Sequence, residues 1–307
     1  MPGFMPRIRL DTMSGTAQSH RMAAAPSISS PVADDTTRHP LLRKLLSRPY
    51  PAVMGVLNIT PDSFSDGGQF IAPDRALAQA RRMMAEGADI IDVGAESTRP
   101  YGSQPVSHDE EIRRLEPVLA AIVALGTPVS IDSMKSQVVA WALEAGVAIA
   151  NDVWGLQRDP DMASVVAARD VPVIVMHNRD KPDATLDIMR DMAAFFERSL
   201  TIAAKAGIPD GHIVLDPGIG FGKTQEQSMI ALARLDELRT FGLPVLVGAS
   251  RKRFIDTVVP SEPKERLGGS LAAHLIAARG GARIIRTHDV ADTVQALRVA
   301  HAIDATR

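Results

Sequence analysis

The chain of 307 residues contains no cysteine. That excludes a disulfide framework, thiolate-bound zinc, iron–sulfur clusters and a cysteine nucleophile. Aromatic residues are scarce, with eight Phe, two Tyr and two Trp, too few to build the stacking platforms that hold single-stranded nucleic acid. Neither charge is in excess: 34 Lys and Arg stand against 36 Asp and Glu, a net charge of −2. No broad polyanion-binding face is implied, and no nucleic-acid partner is expected. No apolar run reaches the roughly 20 residues of a membrane span. These absences point to a soluble, cytoplasmic protein whose chemistry rests on carboxylates, amides, hydroxyls, Lys, Arg or His.

With 45% hydrophobic residues, the chain can bury a sizeable core, in one large α/β domain or two ordinary ones. Residues 1–48 read as an N-terminal extension, rich in Met, Pro, Ser, Ala and Arg and without sustained periodicity. Such a stretch suits a transit peptide, a disordered extension, or a start upstream of Met5, Met13 or Met22; it has no apolar segment of the secretory kind. Residues 49–307 have a different rhythm. Short apolar runs recur at Val53–Ile59, Ala88–Val93, Pro128–Ile131, Val147–Asn151, Val171–Met176, His212–Leu215, Pro244–Val247 and Ala282–Ile285. They are continuous rather than alternating, as expected of parallel strands buried on both faces. Helical patterns fill the gaps, over about 75–85, 109–125, 135–145, 160–169, 187–206, 225–241, 264–279 and 290–303. Eight strand–helix pairs predict an α/β protein of the (β/α)8 TIM-barrel class. A doubly wound open sheet is the alternative.

In such a barrel, chemistry gathers where the strands end. Polar residues follow every predicted strand: Asn58; Glu96, Thr98 and Arg99; Asp132; Asn151 and Asp152; His177; Asp216; Ser250, Arg251 and Lys252; Arg286 and His288. Arg286 and His288 alternate along strand eight, so both side chains face the mouth. Asp289 behind them is placed to cap the last helix. Barrels often bind phosphate at this position. Asp132, Asn151, Asp216 and Lys252 combine two carboxylates, an amide and an ammonium. That set suits a polar heterocycle, whose ring N–H and amino groups donate to carboxylates while Lys and Asn donate back. The same four could instead ligate a divalent metal or form a buried ion network. The segment Asp216–Thr224 looks like a nucleotide loop, but Pro217 stands where a Walker loop requires glycine. Its alternating glycines allow close backbone approach to a flat ligand, with Phe221 as a wall. The polar stretch Asn58–Gly68 has the length of a lid.

Five of these segments resemble signatures of the dihydropteroate synthase family. They are Met54–Gly68, Asp92–Pro100, Asp216–Lys223, Gly248–Lys252 and Arg286–Val290, in family order. The resemblance implies a barrel transferase of folate biosynthesis, usually a homodimer. It would join 7,8-dihydropterin-6-ylmethyl diphosphate to 4-aminobenzoate, giving dihydropteroate and diphosphate. It implies a pterin diphosphate site made of Thr98, Asp132, Asn151, Met176, Asp216, Lys252, Arg286 and His288. Thr98, Arg99, Pro100, Phe221 and Ser250 would hold the aminobenzoate, for which sulfonamides would compete. Asn58 would lie near Mg2+, and Asp66, Lys252, Arg286 and His288 would be catalytic. The chain departs from the family pattern at Tyr101, Ser133 and Asn178–Asp180, none of which removes a proposed ligand group. A corrinoid-linked methyltransferase using methyltetrahydrofolate would share Asp132, Asn151 and Asp216 but not need the first loop or Ser250–Lys252. A non-catalytic pterin-binding paralogue should have lost loop or anion-site residues, and these are present.

Overall fold

The computed structural model describes residues 37–59, 71–96 and 106–307. Eight parallel strands close into a barrel in sequence order: β1 (Ala52–Asn58), β2 (Ile90–Gly94), β3 (Val129–Asp132), β4 (Ile149–Asp152), β5 (Val173–Met176), β6 (Ile213–Asp216), β7 (Val245–Val247) and β8 (Ala282–Thr287). β1 pairs with β2 through Met54–Ile90 and with β8 through Ala52–Ile284, which seals the ring. All eight predicted strands are present, each within a few residues of its predicted ends.

Alternation along the strands divides the core into two clusters. Odd and even positions face opposite sides of a strand. Val53, Ile91, Val93, Val129, Ile131, Val173, Val175, Ile213 and Leu215 face outward and pack against the helices. Met54, Ile90, Ile149, Ile174, Val214, Leu246 and Ile284 face inward and fill the barrel. Burial on both faces is why these strands read as continuous apolar runs.

The surrounding helices are α2 (Ile71–Ala85), α3 (His108–Leu115), α4 (Leu119–Val123), α5 (Ser136–Glu144), α6 (Met162–Arg169), α7 (Ile188–Ala206), α8 (Gln225–Ala233), α9 (Arg253–Val258), α10 (Leu267–Arg279) and α11 (Val290–Asp304). Their starts follow local chemistry. Ser107 caps α3, Asp187 accepts from two backbone N–H groups of α7, and Thr224 with Gln227 forms a capping box on α8. The helix expected over 109–125 is two helices, because Pro117 lacks an N–H and cannot continue the first. The pattern over 225–241 becomes a 3-10 turn after Ala233. At six residues, α9 is too short for periodicity to reveal.

One boundary moves. Pro40–Leu46 forms a further helix, α1, with Pro at its start and His39 accepting from the Leu41 N–H. Its residues Leu42, Leu45 and Leu46 are buried in the inward-facing cluster, on the far side from the strands' C-terminal ends. At roughly 1.5–3 kcal/mol per buried leucine, this helix is part of the barrel's core. A division after residue 48 places it wrongly in the extension.

Candidate active site

Moving two residues along each strand changes the barrel's interior from apolar to polar. Ile90 gives way to Asp92, Ile149 to Asn151, Val214 to Asp216 and Ile284 to Arg286, all on inward-facing positions. On β5 the same step leads from Ile174 to Met176, and on β3 Ser130 and Asp132 occupy both levels. The mouth is therefore lined by side chains that the pleat aims at a common centre.

Asp92 is the hub of this layer. It is fully buried and accepts hydrogen bonds from the Ser130 hydroxyl, from Asn151 Nδ2 at 3.2 and 3.3 Å, and from Arg286 Nε at 2.6 Å. Arg286 donates its Nη2 to Asp132 Oδ2 at 2.7 Å. Burial alone would lower the Arg286 pKa, but Asp92 and Asp132 beside it raise it and hold the guanidinium charged. Asp132 Oδ1, on the other edge of the carboxylate, is buried and has no hydrogen-bond partner among the described residues. Burial pushes the Asp132 carboxyl up despite Arg286. Asp216 accepts from the Gly218 N–H at 2.7 Å, and burial likewise raises its pKa, to about 6. An orphaned buried carboxylate oxygen costs free energy unless a donor arrives. Asp132 is one of the residues that line the cleft at the mouth.

An open cleft enclosing roughly 320 Å³ is lined by Asp132, Asn151, Met176, Asp216, Phe221, Lys252 and Arg286, all seven expected from sequence. Val153, Gly218, Ile219 and Gly248 complete it. The loop after β6 forms one wall. Gly218 is left-handed there (φ +63°), and a Cβ would collide with the His177 carbonyl, so only glycine allows this turn. Lys252 Nζ lies over the Phe221 ring, 4.1 Å from its centroid. At the rim, Ser250 Oγ lies 3.0 Å from His288 Nδ1 and accepts from the His288 backbone N–H at 3.2 Å. Burial, then Arg286, Arg251 and Lys252, lower the His288 pKa to about 3. The imidazole is therefore neutral at physiological pH. Asn58 stands half-buried at the end of β1. Asp66, Thr98, Arg99 and Pro100 lie outside the described residues, as does Tyr101.

Some strand-end residues serve their own loops instead of the mouth. His177 is buried, with Nε2 at 3.0 Å from Asp191 and Nδ1 at 2.6 Å from Lys223 Nζ. Asp152 accepts from the Trp154 and Leu156 N–H groups. Glu96 pairs with Lys135 and accepts from the Val106 N–H. Asp289 occupies the N-cap of α11, yet its carboxylate makes no cap hydrogen bond; it is paired with Arg251, whose Nε is 3.1 Å away. Sequence reasoning also passed over Asp92 as a site residue. Its signal was a single acid inside the apolar run Ile90–Val93, which folding buries only if it is partnered.

Residues 54–288 match the model of the pterin binding enzyme family. The dihydropteroate synthase of Bacillus subtilis (strain 168) is 45% identical over 254 residues, 82% of this chain and 87% of that protein. This chain belongs to the pterin-binding enzymes, among the dihydropteroate synthases. Two solved structures of that family show the same barrel. That of Xanthomonas albilineans with 4-aminobenzoic acid is 43% identical, with a TM-score of 0.81 over 85% of this chain and 94% of the other. That of Yersinia pestis with a sulfonamide drug is 41% identical, with a TM-score of 0.78 over 85% and 96%. Membership of the dihydropteroate synthases decides against the methyltransferase alternative. The family match runs from β1 to His288, so every mouth residue from Asn58 onward falls inside it and α1 falls outside.

Proposed function

We propose that the mouth of this barrel condenses 7,8-dihydropterin-6-ylmethyl diphosphate with 4-aminobenzoate, the dihydropteroate synthase reaction, with the pterin deepest. The observation that carries the placement is the unpartnered, buried Asp132 Oδ1 in a cleft shared with Asn151, Asp216 and Lys252. A pterin ring offers adjacent N–H and amino donors to Asp132 and Asp216, and acceptors to Asn151 and Lys252. Met176 packs on its face. Phe221 and Ser250, with Thr98, Arg99 and Pro100, receive the aminobenzoate. Binding of a sulfonamide by the Yersinia pestis relative supports competition by such drugs for this half of the site.

The bond between the pterin methylene carbon and the diphosphate oxygen breaks, and its electron pair leaves with the diphosphate. The arylamine nitrogen then attacks the methylene carbon and loses a proton. Departure ahead of attack develops positive charge on the pterin, and the buried carboxylates of Asp92, Asp132 and Asp216 stabilise it. Arg286, Lys252 and the neutral His288 face the leaving anion; His288 acts as a hydrogen-bond donor, not as a cation. An arylamine is already nucleophilic as the free base, so no strong general base is required. Mg2+ uses one or two protein oxygens and completes its shell from phosphate and water, and the Asn58 amide at the mouth fits that demand. When bound, the ion neutralises charge on the leaving diphosphate.

The same reading makes the enzyme a cytoplasmic homodimer. Among the described residues, no helix is long and apolar enough to cross a membrane. Ile276 on α10 and Val299 and Ile303 on α11 are each more than half exposed. These neighbouring helices offer an apolar face to a second copy. The direct test is diphosphate release from the pterin diphosphate, 4-aminobenzoate and Mg2+. Folded protein that binds the pterin and releases none would overturn the synthase assignment and favour the non-catalytic paralogue.

A further inference from the structure

Lys223 ends the Gly-rich loop in the position that gives it the look of a phosphate-binding lysine. Its ammonium does not face the cleft. The side chain is 3% exposed and runs beneath its own loop. Nζ lies 2.6 Å from His177 Nδ1, 3.0 Å from the Gly218 carbonyl, 3.2 Å from the Phe221 carbonyl and 3.4 Å from the His177 carbonyl. Three of these acceptors are backbone oxygens of the two loops that wall the cleft. The chain of contacts continues outward. His177 Nε2 meets Asp191 Oδ2 at 3.0 Å, and Arg179 Nη1 meets the same oxygen at 2.9 Å. Gly222 (φ +54°) brings the backbone against Arg179, with no room for a Cβ. It also continues inward: Phe221 is the residue whose carbonyl Lys223 holds and whose ring carries Lys252 Nζ.

We propose that Lys223 is a positioning residue for the aminobenzoate half of the site. By gathering the Gly218 and Phe221 carbonyls onto one buried ammonium, braced by His177 and Asp191, it fixes the Phe221 ring and, through that ring, the Lys252 side chain. The physical basis is strain-free rigidity. An ammonium has three donors and the pocket supplies four acceptors. Burial pulls the Lys223 pKa down to about 7, and a neutral amine there would still donate two of these hydrogen bonds. A charge is costly to bury unless it is hydrogen-bonded, and two of the bonds here, to the Gly218 and Phe221 carbonyls, go to the loop that lines the cleft. Displacement of a positioning wall by about 1 Å is enough to cost a reaction up to 10²-fold. Lys223 touches neither substrate. Its influence should fall most on the aminobenzoate side, through Phe221, and more weakly on the pterin, through Lys252 and the Gly218 turn that holds Asp216, because Asn151 and Arg286 are anchored separately by Asp92.

This assignment rests on Phe221 and Lys252 contacting substrate as proposed above, and the experiment separates the two. KM for each substrate is measured by diphosphate release in wild type, Lys223→Met, Phe221→Ala, the double variant and Asp191→Asn, alongside thermal unfolding. Lys223→Met should raise the aminobenzoate KM about tenfold and the pterin diphosphate KM by a clearly smaller factor, transmitted through Lys252. The double variant should be no worse in aminobenzoate KM than Phe221→Ala alone, because the two residues act as a unit. Asp191→Asn should shift the same constant in the same direction by a smaller factor. Multiplicative single effects, equal rises in both KM values, or a lower Tm with unchanged KM would each overturn the proposal. If Lys223→Met does not fold, an unchanged aminobenzoate KM in Asp191→Asn overturns it. Wild-type protein without diphosphate release overturns the synthase reading and this assignment with it, whereas failure of the variants alone leaves that reading standing.

Discussion

Two arginines three residues apart on β8 lie at the barrel's two ends and have opposite fates. Arg286, at the mouth, sits between Asp92 and Asp132, whose charges raise its pKa. Arg283, toward the other end, donates Nη2 to the carbonyls of Leu46 and Arg48, the latter at 2.9 Å. Burial, then Arg38, lower its pKa. Arg283 spends these two hydrogen bonds on backbone at and just beyond the end of α1, tying α1 to the barrel. Arg286 is held by two carboxylates, one of them incompletely satisfied, since Asp132 Oδ1 has no partner among the described residues. Each end has an unsatisfied buried atom among the described residues, a donor (Arg283 Nε) at the closed end and an acceptor (Asp132 Oδ1) at the mouth, but only Asp132 lines the cleft. The mouth keeps a deficit that a ligand completes.

The largest test of this contrast is Arg286→Met. It leaves Asp92 and Asp132 buried without their cation, and kcat/KM should fall about 10³-fold or more, as for loss of a preorganised charge. Diphosphate release measures it; a loss below tenfold would place the anion site elsewhere. Next is Leu42→Ala at the closed end, which should cost about 3 kcal/mol of stability in urea unfolding while leaving kcat and both KM values unchanged. Catalytic loss there would erase the division between the ends. Arg283→Met should cost about 2 kcal/mol by removing charge-assisted bonds to two carbonyls, again with normal kinetics.

The smallest effect concerns pH. Burial raises Asp216 to about 6 from an ordinary 3.8. A raised folded-state pKa means that the folded, ligand-free protein holds this proton more tightly than the unfolded chain. The group's contribution to stability therefore declines as pH rises from about 4 to about 6. Pterin binding asks for the opposite form, the carboxylate. The KM for the pterin diphosphate should accordingly rise about fivefold between pH 6 and pH 5, and Asp216→Asn should flatten that dependence while raising KM at every pH. A KM profile unchanged by the substitution would remove Asp216 from the pterin's partners. His288, neutral down to about 3, should contribute no transition near pH 6.5.

The strands were legible because burial on both faces forces continuous Val, Ile and Leu runs, and their eightfold recurrence with intervening helices left few topologies. The cleft residues were legible for a related reason: a polar residue directly after such a run is displayed at the mouth. That rule failed at His177 and Asp152, where the loop folds back and consumes the side chain locally. It missed Asp92, because a lone acid inside an apolar run does not announce what will partner it. It also misplaced α1, since a seven-residue helix with leucines on one face looks the same in a tail as in a plug.

Sequence alone pointed to the barrel class, with a doubly wound sheet as the alternative, placed Asp132, Asn151, Asp216 and Arg286 at strand ends, and rejected a nucleotide-type role for Asp216–Thr224. These follow from periodicity and spacing, which are properties of a chain read in one dimension. Tertiary structure alone decided that Arg286 is shared by two carboxylates, that Asp132 keeps a bare oxygen, that Lys223 turns under its loop and that α1 closes the barrel. Those features depend on atoms from segments up to 237 positions apart, such as Leu46 and Arg283, and only folding brings them within hydrogen-bonding distance.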